Sequence, residues 1–410
     1  MLRKIMAGIL VSVTVVALLA GCSTSKKPEP TNTTQPAKKE PVTLKVWSHL
    51  TQAEVDAITP FAKAWAEKTG NKVEFLFDTS DFQAFATAAQ AGQGPDIMYG
   101  LPHDNLGTFQ KAGLLAEVPA SVFNKADYPQ VAIDAVSFDG KQYAWPISTE
   151  SIALIYNTAK VKTAPKTWDE FIKVAQANGF AYDVTNFYHS FGFIGGNGGY
   201  VFKNNGGALD PKNVGLASDG AKAGLKMIQD LVNTYKFMPM DITGDVAKSN
   251  FLSGKTALYL SGPWDMGDIS KAGIKAAVAP MPTLPNGKPF TPFIGVYAAF
   301  VNSGSKHQAE AWELVKYMRE NDPKTLFQVG TRYPAAKKWQ ENDYVKANAI
   351  ATGFGQSSLN GIPMPNIPAM STVWEPAKKM LEMVTQNKGT IDAAAGDAVK
   401  TINDAVAAMK

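Results

Sequence analysis

From Val42 onward the chain alternates between two hydrophobic periods, and that alternation restricts it to a small set of folds. TLKVW (Thr43 to Trp47) has the period of a strand, while Val55, Ile58, Phe61, Ala62 and Trp65 recur at helical spacing. KVEFLF (Lys72 to Phe77) returns to a strand. A second helix is predicted over residues 81–91, and Gly92-Gln93-Gly94-Pro95 breaks it before DIMYG (Asp96 to Gly100). Strand, helix, strand, helix, strand implies a parallel sheet with helices on its faces. The theme returns further on, with strands predicted in IALIYN (Ile152 to Asn157), TALYL (Thr256 to Leu260), AAVAPM (Ala276 to Met281) and VYAAFVN (Val296 to Asn302). Between them Thr167 caps a helix reaching Asn178, residues 221–235 form another, and the chain from Lys306 is mostly helical. There is no internal repeat of solenoid period, and 410 residues favour two or more domains.

The N-terminus supplies an address. Arg3 and Lys4 precede an apolar run from Ile5 to Ala20, closed by Leu19-Ala20-Gly21-Cys22, the layout of a secretory signal peptide over residues 1–21. No later segment has the 18 or so apolar residues that a membrane span needs. Cys22 is the single cysteine of the chain, so an internal disulfide is impossible. Its place directly after small residues resembles the lipobox of bacterial lipoproteins, in which that cysteine receives the lipid and becomes the mature N-terminus. The following STSKKPEPTNTTQPAKKEP lacks large apolar residues, so residues 22–41 read as a disordered tether.

Charge argues against a nucleic-acid partner. Arg3, Lys4, Lys26, Lys27, Lys38, Lys39 and Lys45 against Glu29 and Glu40 give residues 1–45 a charge of +5, and the whole chain carries +4. The rest therefore sums to −1, which offers no basic face. Gly254-Lys255-Thr256 ends like the phosphate-cradling G-x-x-x-x-G-K-[ST], but the first position is Ser249, a helical pattern precedes it and a strand follows. Gly254 reads better as the end of a helix turning into a strand. His49, His103, His189 and His307 show no metal-ligand spacing, G-x-S-x-G is absent, and no cofactor is expected.

Eight segments carry a resemblance: GPDIMY (Gly94 to Tyr99), AGLLAEV (Ala112 to Val118), WPISTESIALIYN (Trp145 to Asn157), PKTWDEF (Pro165 to Phe171), NGGYVFKN (Asn197 to Asn204), AKAGL (Ala221 to Leu225), SGPWD (Ser261 to Asp265) and MPNIPAMSTVW (Met364 to Trp374). In this order they resemble the extracytoplasmic solute-binding proteins of ABC importers, most closely the maltose and maltodextrin binders. The resemblance implies a two-lobe, periplasmic-binding-protein-like α/β fold, each lobe a mostly parallel sheet flanked by helices, with a ligand cleft between. Lobe 1 would comprise residues 42–149 and 296–332, and lobe 2 residues 150–295 and 333–410, with crossings near 149–152, 294–296 and 331–335. It also implies a non-enzymatic, monomeric receptor held on the outer face of the membrane by the lipid alone. That receptor would pass maltose, maltotriose and longer maltodextrins to a permease.

Sugars need aromatic rings on their C–H faces and polar groups at their hydroxyl rim. Carried over by position, the stacking aromatics are Tyr188, Trp264 and Trp374, with Met364 beside Trp374, and the rim acceptors are Asp104 and Glu150. Plainer readings stand beside these: Tyr188, Trp264 and Trp374 as core, Glu150 in a surface ion pair, Asp104 as the N-cap of a helix over residues 105–112. The chain departs from the family pattern at His49-Leu50-Thr51-Gln52, at Asn105, at His189, at Asn186 and over Gly100-Leu101-Pro102-His103. The expected rim is thus richer in neutral groups, among them His49, Gln52 and Asn105, which implies that affinity survives acid. Asp104 and Glu150 are also a candidate carboxylate pair, so hydrolysis stays open at this level, as does a different oligosaccharide.

Overall fold

The computed structural model describes residues 40–205, 208–322 and 324–409; Cys22 and the predicted leader lie outside them, as does nearly all of the predicted tether. Residues 41–410 pack as one unit. Apart from two small two-stranded sheets, its strands are β1 (Thr43–Ser48), β2 (Lys72–Phe77), β3 (Ile97–Pro102), β4 (Trp145–Glu150), β5 (Ala153–Asn157), β6 (Phe180–Ala181), β7 (Leu258–Ser261), β8 (Ala276–Ala279), β9 (Phe293–Val301), β10 (Tyr333–Pro334) and β11 (Ile362–Pro363). They form two main sheets, ordered β10-β4-β9-β3-β1-β2 and β8-β5-β7-β6, with β11 added to the start of β9.

The parallel arrangement expected from the alternating pattern holds where helices make the crossovers. β1 runs parallel to β2 and β3, and β7 runs parallel to β6. Elsewhere the sheets are mixed: β9 is antiparallel to β3 and β4, β10 to β4, and β5 to both β7 and β8. The physical reason is connectivity. A chain that leaves one sheet to build the other returns through no βαβ crossover, so nothing holds it to the parallel sense.

Local sequence explains the helices. Thr51 and Glu54 close a reciprocal capping box on the helix Gln52–Thr69, which ends at Gly70. Val55, Ile58, Ala62 and Trp65 form its buried stripe. Thr167 and Glu170 repeat the device on Trp168–Asn178. The helix Gly244–Leu252 ends before Gly254, whose left-handed φ of 73° turns the chain toward β7. The Gly254 and Thr256 N–H groups donate to the carbonyls of Phe251 and Asn250, so they are spent within the turn and cradle no phosphate.

Strand alternation fills both faces of the first sheet. Leu44, Val46, Ile97, Tyr99 and Ala299 enter one apolar cluster, and Met98, Leu101, Val296, Ala298 and Phe300 enter the cluster behind it. The second sheet has its own core, which includes Phe293 at the start of β9. One strand is thereby anchored in the cores of both sheets. Register slips where Tyr297 and Ala298 of β9 pair with Ser148 and Pro146 of β4, a bulge at which a proline removes no ladder bond.

Two contacts fix how the end of β3 meets the segment 364–374. Fully buried His103 accepts the Val296 N–H at Nδ1 (3.0 Å), and its Nε2 faces the Met364 carbonyl at 3.1 Å. The helix Leu106–Lys111 approaches so closely that a Cβ on Gly107 would overlap the Asn366 carbonyl oxygen. Gly107→Ala must push the two segments apart and is expected to cost about 1–3 kcal/mol in denaturant unfolding. A stability within about 0.3 kcal/mol of wild type would show that this approach is not a constraint.

Candidate functional site

A cavity of about 610 Å³ opens where the two sheets meet, a size suited to a small organic ligand. Its wall includes Asp104, Asn105, Glu150, Tyr188, Trp264, Met364 and Trp374, seven of the nine residues expected at a sugar site. They are delivered by strand ends, 3₁₀ turns and helix starts. β3 stops at Pro102, and the 3₁₀ turn His103–Asn105 presents Asp104 and Asn105. Asn105 is held by Gln83 Nε2 at 2.8 Å and itself donates to Asp104 Oδ1 at 3.2 Å. Asp104 caps no helix: it lies inside the turn, and the following helix has no side-chain cap.

Tyr188 stands in the first turn of the helix Phe187–Gly196, its N–H bonded to the Asn186 side chain at 3.0 Å. Trp264 follows β7 on the turn Pro263–Asp265, where Asp265 accepts from the hydroxyls of Tyr259 (2.7 Å) and Ser261 (2.6 Å). Trp374 begins the helix Trp374–Thr385. The three rings are neither wholly core nor wholly free: each is partly buried at the edge of the second core. Phe293 backs Tyr188 and Trp374, with ring centroids 6.1 and 6.4 Å away. Tyr188 and Trp264 stand 6.1 Å apart, so the aromatic surface is continuous.

Two expected residues are not brought to the cavity. Gln52 is exposed at the start of its helix and bonds Asp56 at 2.7 Å. His49 packs edge-on behind Phe82 at 4.9 Å, with Nε2 3.1 Å from Asp78. The reason lies in the next loop. The helix predicted from Asp81 starts only at Ala84, which frees Asp81, Phe82 and Gln83 to form this wall in their place. His103, beside Asp104, is a clamp within the fold.

The sequence reading also missed Tyr297 and Arg332. Arg332 is almost fully buried, with Nη1 2.5 Å from Glu150 Oε2, Nε 2.7 Å from Glu54 Oε1 and Nη2 3.2 Å from Glu54 Oε2. Its guanidinium lies 4.3 Å from the Tyr297 ring centroid. Glu150 is therefore in an ion pair, but a buried one, not the surface pair considered above. The one available signal was an Arg inside an expected crossing; its partners were not readable.

Burial dominates the electrostatics. It pushes Asp104 up to about 7, against hydrogen bonding from Asp104's own backbone and from Trp374. It pushes Glu150 to about 7 as well, with the Glu54 charge adding and Arg332 opposing. His189, which also lines the cavity, is lowered by burial to about 4, as is His103. Two buried polar atoms of lining residues, Tyr188 Oη and His189 Nδ1, have no partner in the protein. Such atoms carry a desolvation cost that a polar ligand would relieve. The described residues include no cluster of His, Cys, Asp and Glu able to hold a metal.

Known proteins share this architecture. The X-ray structures of the maltose-maltodextrin binding protein of the thermoacidophilic bacterium Alicyclobacillus acidocaldarius superpose with a TM-score of 0.86 at 41% identity, over 88% of this chain and 99% of that one. The maltooligosaccharide ABC transporter solute-binding lipoprotein of Streptococcus pneumoniae is 29% identical over 408 residues, 95% of this chain and 94% of its own. The galactooligosaccharide-binding protein of Bacillus subtilis is 32% identical over 325 residues, 76% of this chain and 77% of its own. The family model for bacterial extracellular solute-binding proteins matches residues 51–325, about two thirds of the sequence, and the chain belongs to that family.

Proposed function

We propose that this protein captures maltose, maltotriose and longer maltodextrins in the cavity between its two sheets and delivers them unaltered to an ABC import permease. The observation that carries the reading is the pairing of three partly exposed rings, Tyr188, Trp264 and Trp374, with two buried carboxyls, Asp104 and Glu150, around one cavity. Rings cover the C–H faces of a glucose chain while carboxyls and amides take its hydroxyls. The relatives whose names specify maltodextrin ligands support the α-glucan class. The Bacillus subtilis galactooligosaccharide-binding protein makes galactooligosaccharides the rival.

In this reading the lobes are residues 42–149 with 296–332 and residues 150–295 with 333–410, closing as a hinge about the crossings. The body is a monomer, tethered through lipidated Cys22 on the outer face of the membrane. The cleft performs no hydrolysis: Glu150 has one oxygen tied to Arg332, an arrangement for holding a hydroxyl rather than attacking a bond.

Titrating tryptophan fluorescence with maltose, maltotriose and a longer maltodextrin should give saturable changes at micromolar sugar, with cellobiose and xylobiose silent. Trp374→Ala should weaken maltotriose by roughly 1–3 kcal/mol, about 5- to 150-fold. Response to galacto-oligomers alone would replace the ligand class, and glucose release on long incubation would revive an enzyme.

The buried titrating groups set opposite pH dependences. Asp104 and Glu150 are raised to about 7, so the stability they contribute is complete below pH 4 and lost as pH rises through 7. His103 and His189 are lowered to about 4, so theirs is complete above pH 6.5 and lost as pH falls through 4. Each shift is worth up to about 3–4 kcal/mol, and the two sets nearly cancel between pH 4 and 7. Urea unfolding of Asp104→Asn should expose the histidines, with stability falling from pH 7 to pH 4 by roughly 2–4 kcal/mol more than in wild type. Parallel curves for the two proteins would contradict the balance.

A further inference from the structure

We propose that Arg332 is the positioning residue for Glu150: its guanidinium takes one carboxylate oxygen, Oε2, and thereby presents the other, Oε1, to a sugar hydroxyl in the cavity. This rests on the sugar-binding reading of that cavity.

The two carboxylates that share Arg332 are used differently. Both oxygens of Glu54 are engaged, Oε1 by Arg332 Nε and Oε2 by Arg332 Nη2 together with the backbone N–H and hydroxyl of Thr51, each at 2.8 Å. Glu54 is thus fixed to the N-terminus of the first helix and completely buried, with nothing left to offer a ligand. Glu150 lines the cavity, and among the described residues Oε2 alone is bonded. Oε1 and the partnerless hydroxyl of Tyr188 converge, both lying 3.5 Å from where a Cβ on Gly295 would stand. Glu54 is the anchor of the network and Glu150 its working end.

The backbone around Arg332 is shaped to this purpose. The helix Thr325–Gly330 ends with Thr331 in the left-handed region at φ 54°, a conformation that is costly for a β-branched residue. At Gly330 a Cβ would overlap Glu54 Oε1, so a side chain there would drive the carboxylate from the guanidinium. The planar fork is essential too, because it reaches two carboxylates at once while lying over Tyr297; a lysine ammonium would serve as a point charge.

The groups facing Glu150 are Arg332, Glu54, Tyr188 and Tyr297, with Asp104 facing Tyr188 from the opposite wall. Arg332 is the one cation among them. Without it Glu150 is protonated throughout the neutral range and becomes a weaker acceptor.

The test is a double-mutant cycle read by calorimetric titration with maltotriose from pH 5 to pH 9, with thermal melts in parallel. Arg332→Met is expected to weaken maltotriose on the order of 10- to 100-fold at pH 7.5 in the Glu150 background, but less than about 3-fold when Glu150→Gln is also present. Its affinity should also recover only at higher pH than wild type. Arg332→Lys should restore folding more fully than affinity, and it replaces Arg332→Met in the cycle if that variant does not fold. Equal losses in both backgrounds, or an unchanged pH midpoint, overturn the proposal. A wild type that binds no maltotriose overturns the maltodextrin reading itself.

Discussion

A single guanidinium buried between two carboxylates ties together the parts of this protein that sequence keeps far apart. Arg332 reaches 278 positions back to Glu54 at the start of the first helix and 182 positions back to Glu150 at the end of β4. All three groups are shielded from water, where an unpaired charge is very costly, so removing one leaves the others exposed to that cost. The network sits where β4 leaves the first sheet. The segment that follows, Ser151 and Ile152, is also tied to the second body: Ser151 bonds the Phe293 carbonyl at 3.0 Å, and Ser357 bonds the Ile152 carbonyl at 2.7 Å. Polar groups thus fix the crossing, while apolar packing fixes the bodies on each side.

The cavity inherits its order from this arrangement. Its aromatic wall belongs to the second core and is backed by Phe293, which stacks on Phe191 at 3.8 Å. Asp104 and Asn105 come from the end of β3, and Glu150 from the end of β4. β9 runs between β3 and β4 and has its first residue in the second core, so any displacement of one wall is felt by the other. His103 reinforces the same joint with neutral imidazole bonds to two backbone segments. Burial keeps both histidines neutral above about pH 4 and holds the protons on both carboxyls until about pH 7, so in moderate acid these four groups carry little charge.

How much of this was legible followed the range of the interactions. The capping boxes at Thr51 and Thr167 are local, with partners three residues apart, and were readable as patterns. The strands were readable because burial on alternate or both faces leaves a period in the sequence. The antiparallel pairs around β9 were not, since they arise from how the chain travels between sheets. Of the residues that line the cavity, Tyr188, Trp264, Trp374, Asp104 and Glu150 were expected there through resemblance, whereas the places expected for His49 and Gln52 are taken by the wall Asp81 to Gln83. Arg332 and Tyr297 escaped notice because their partners lie across the fold, and the bonds of His103 were unreadable for the same reason, reaching 193 and 261 positions away.

A crystal structure with maltotriose bound would show the ligand and its partners at once. Glucose rings are expected against Tyr188, Trp264 and Trp374, with Glu150 Oε1 and Asp104 accepting from ring hydroxyls and Arg332 still holding Glu150 Oε2. A maltotriose bound elsewhere on the molecule, or one in this cavity with no ring against those aromatics, would contradict this expectation.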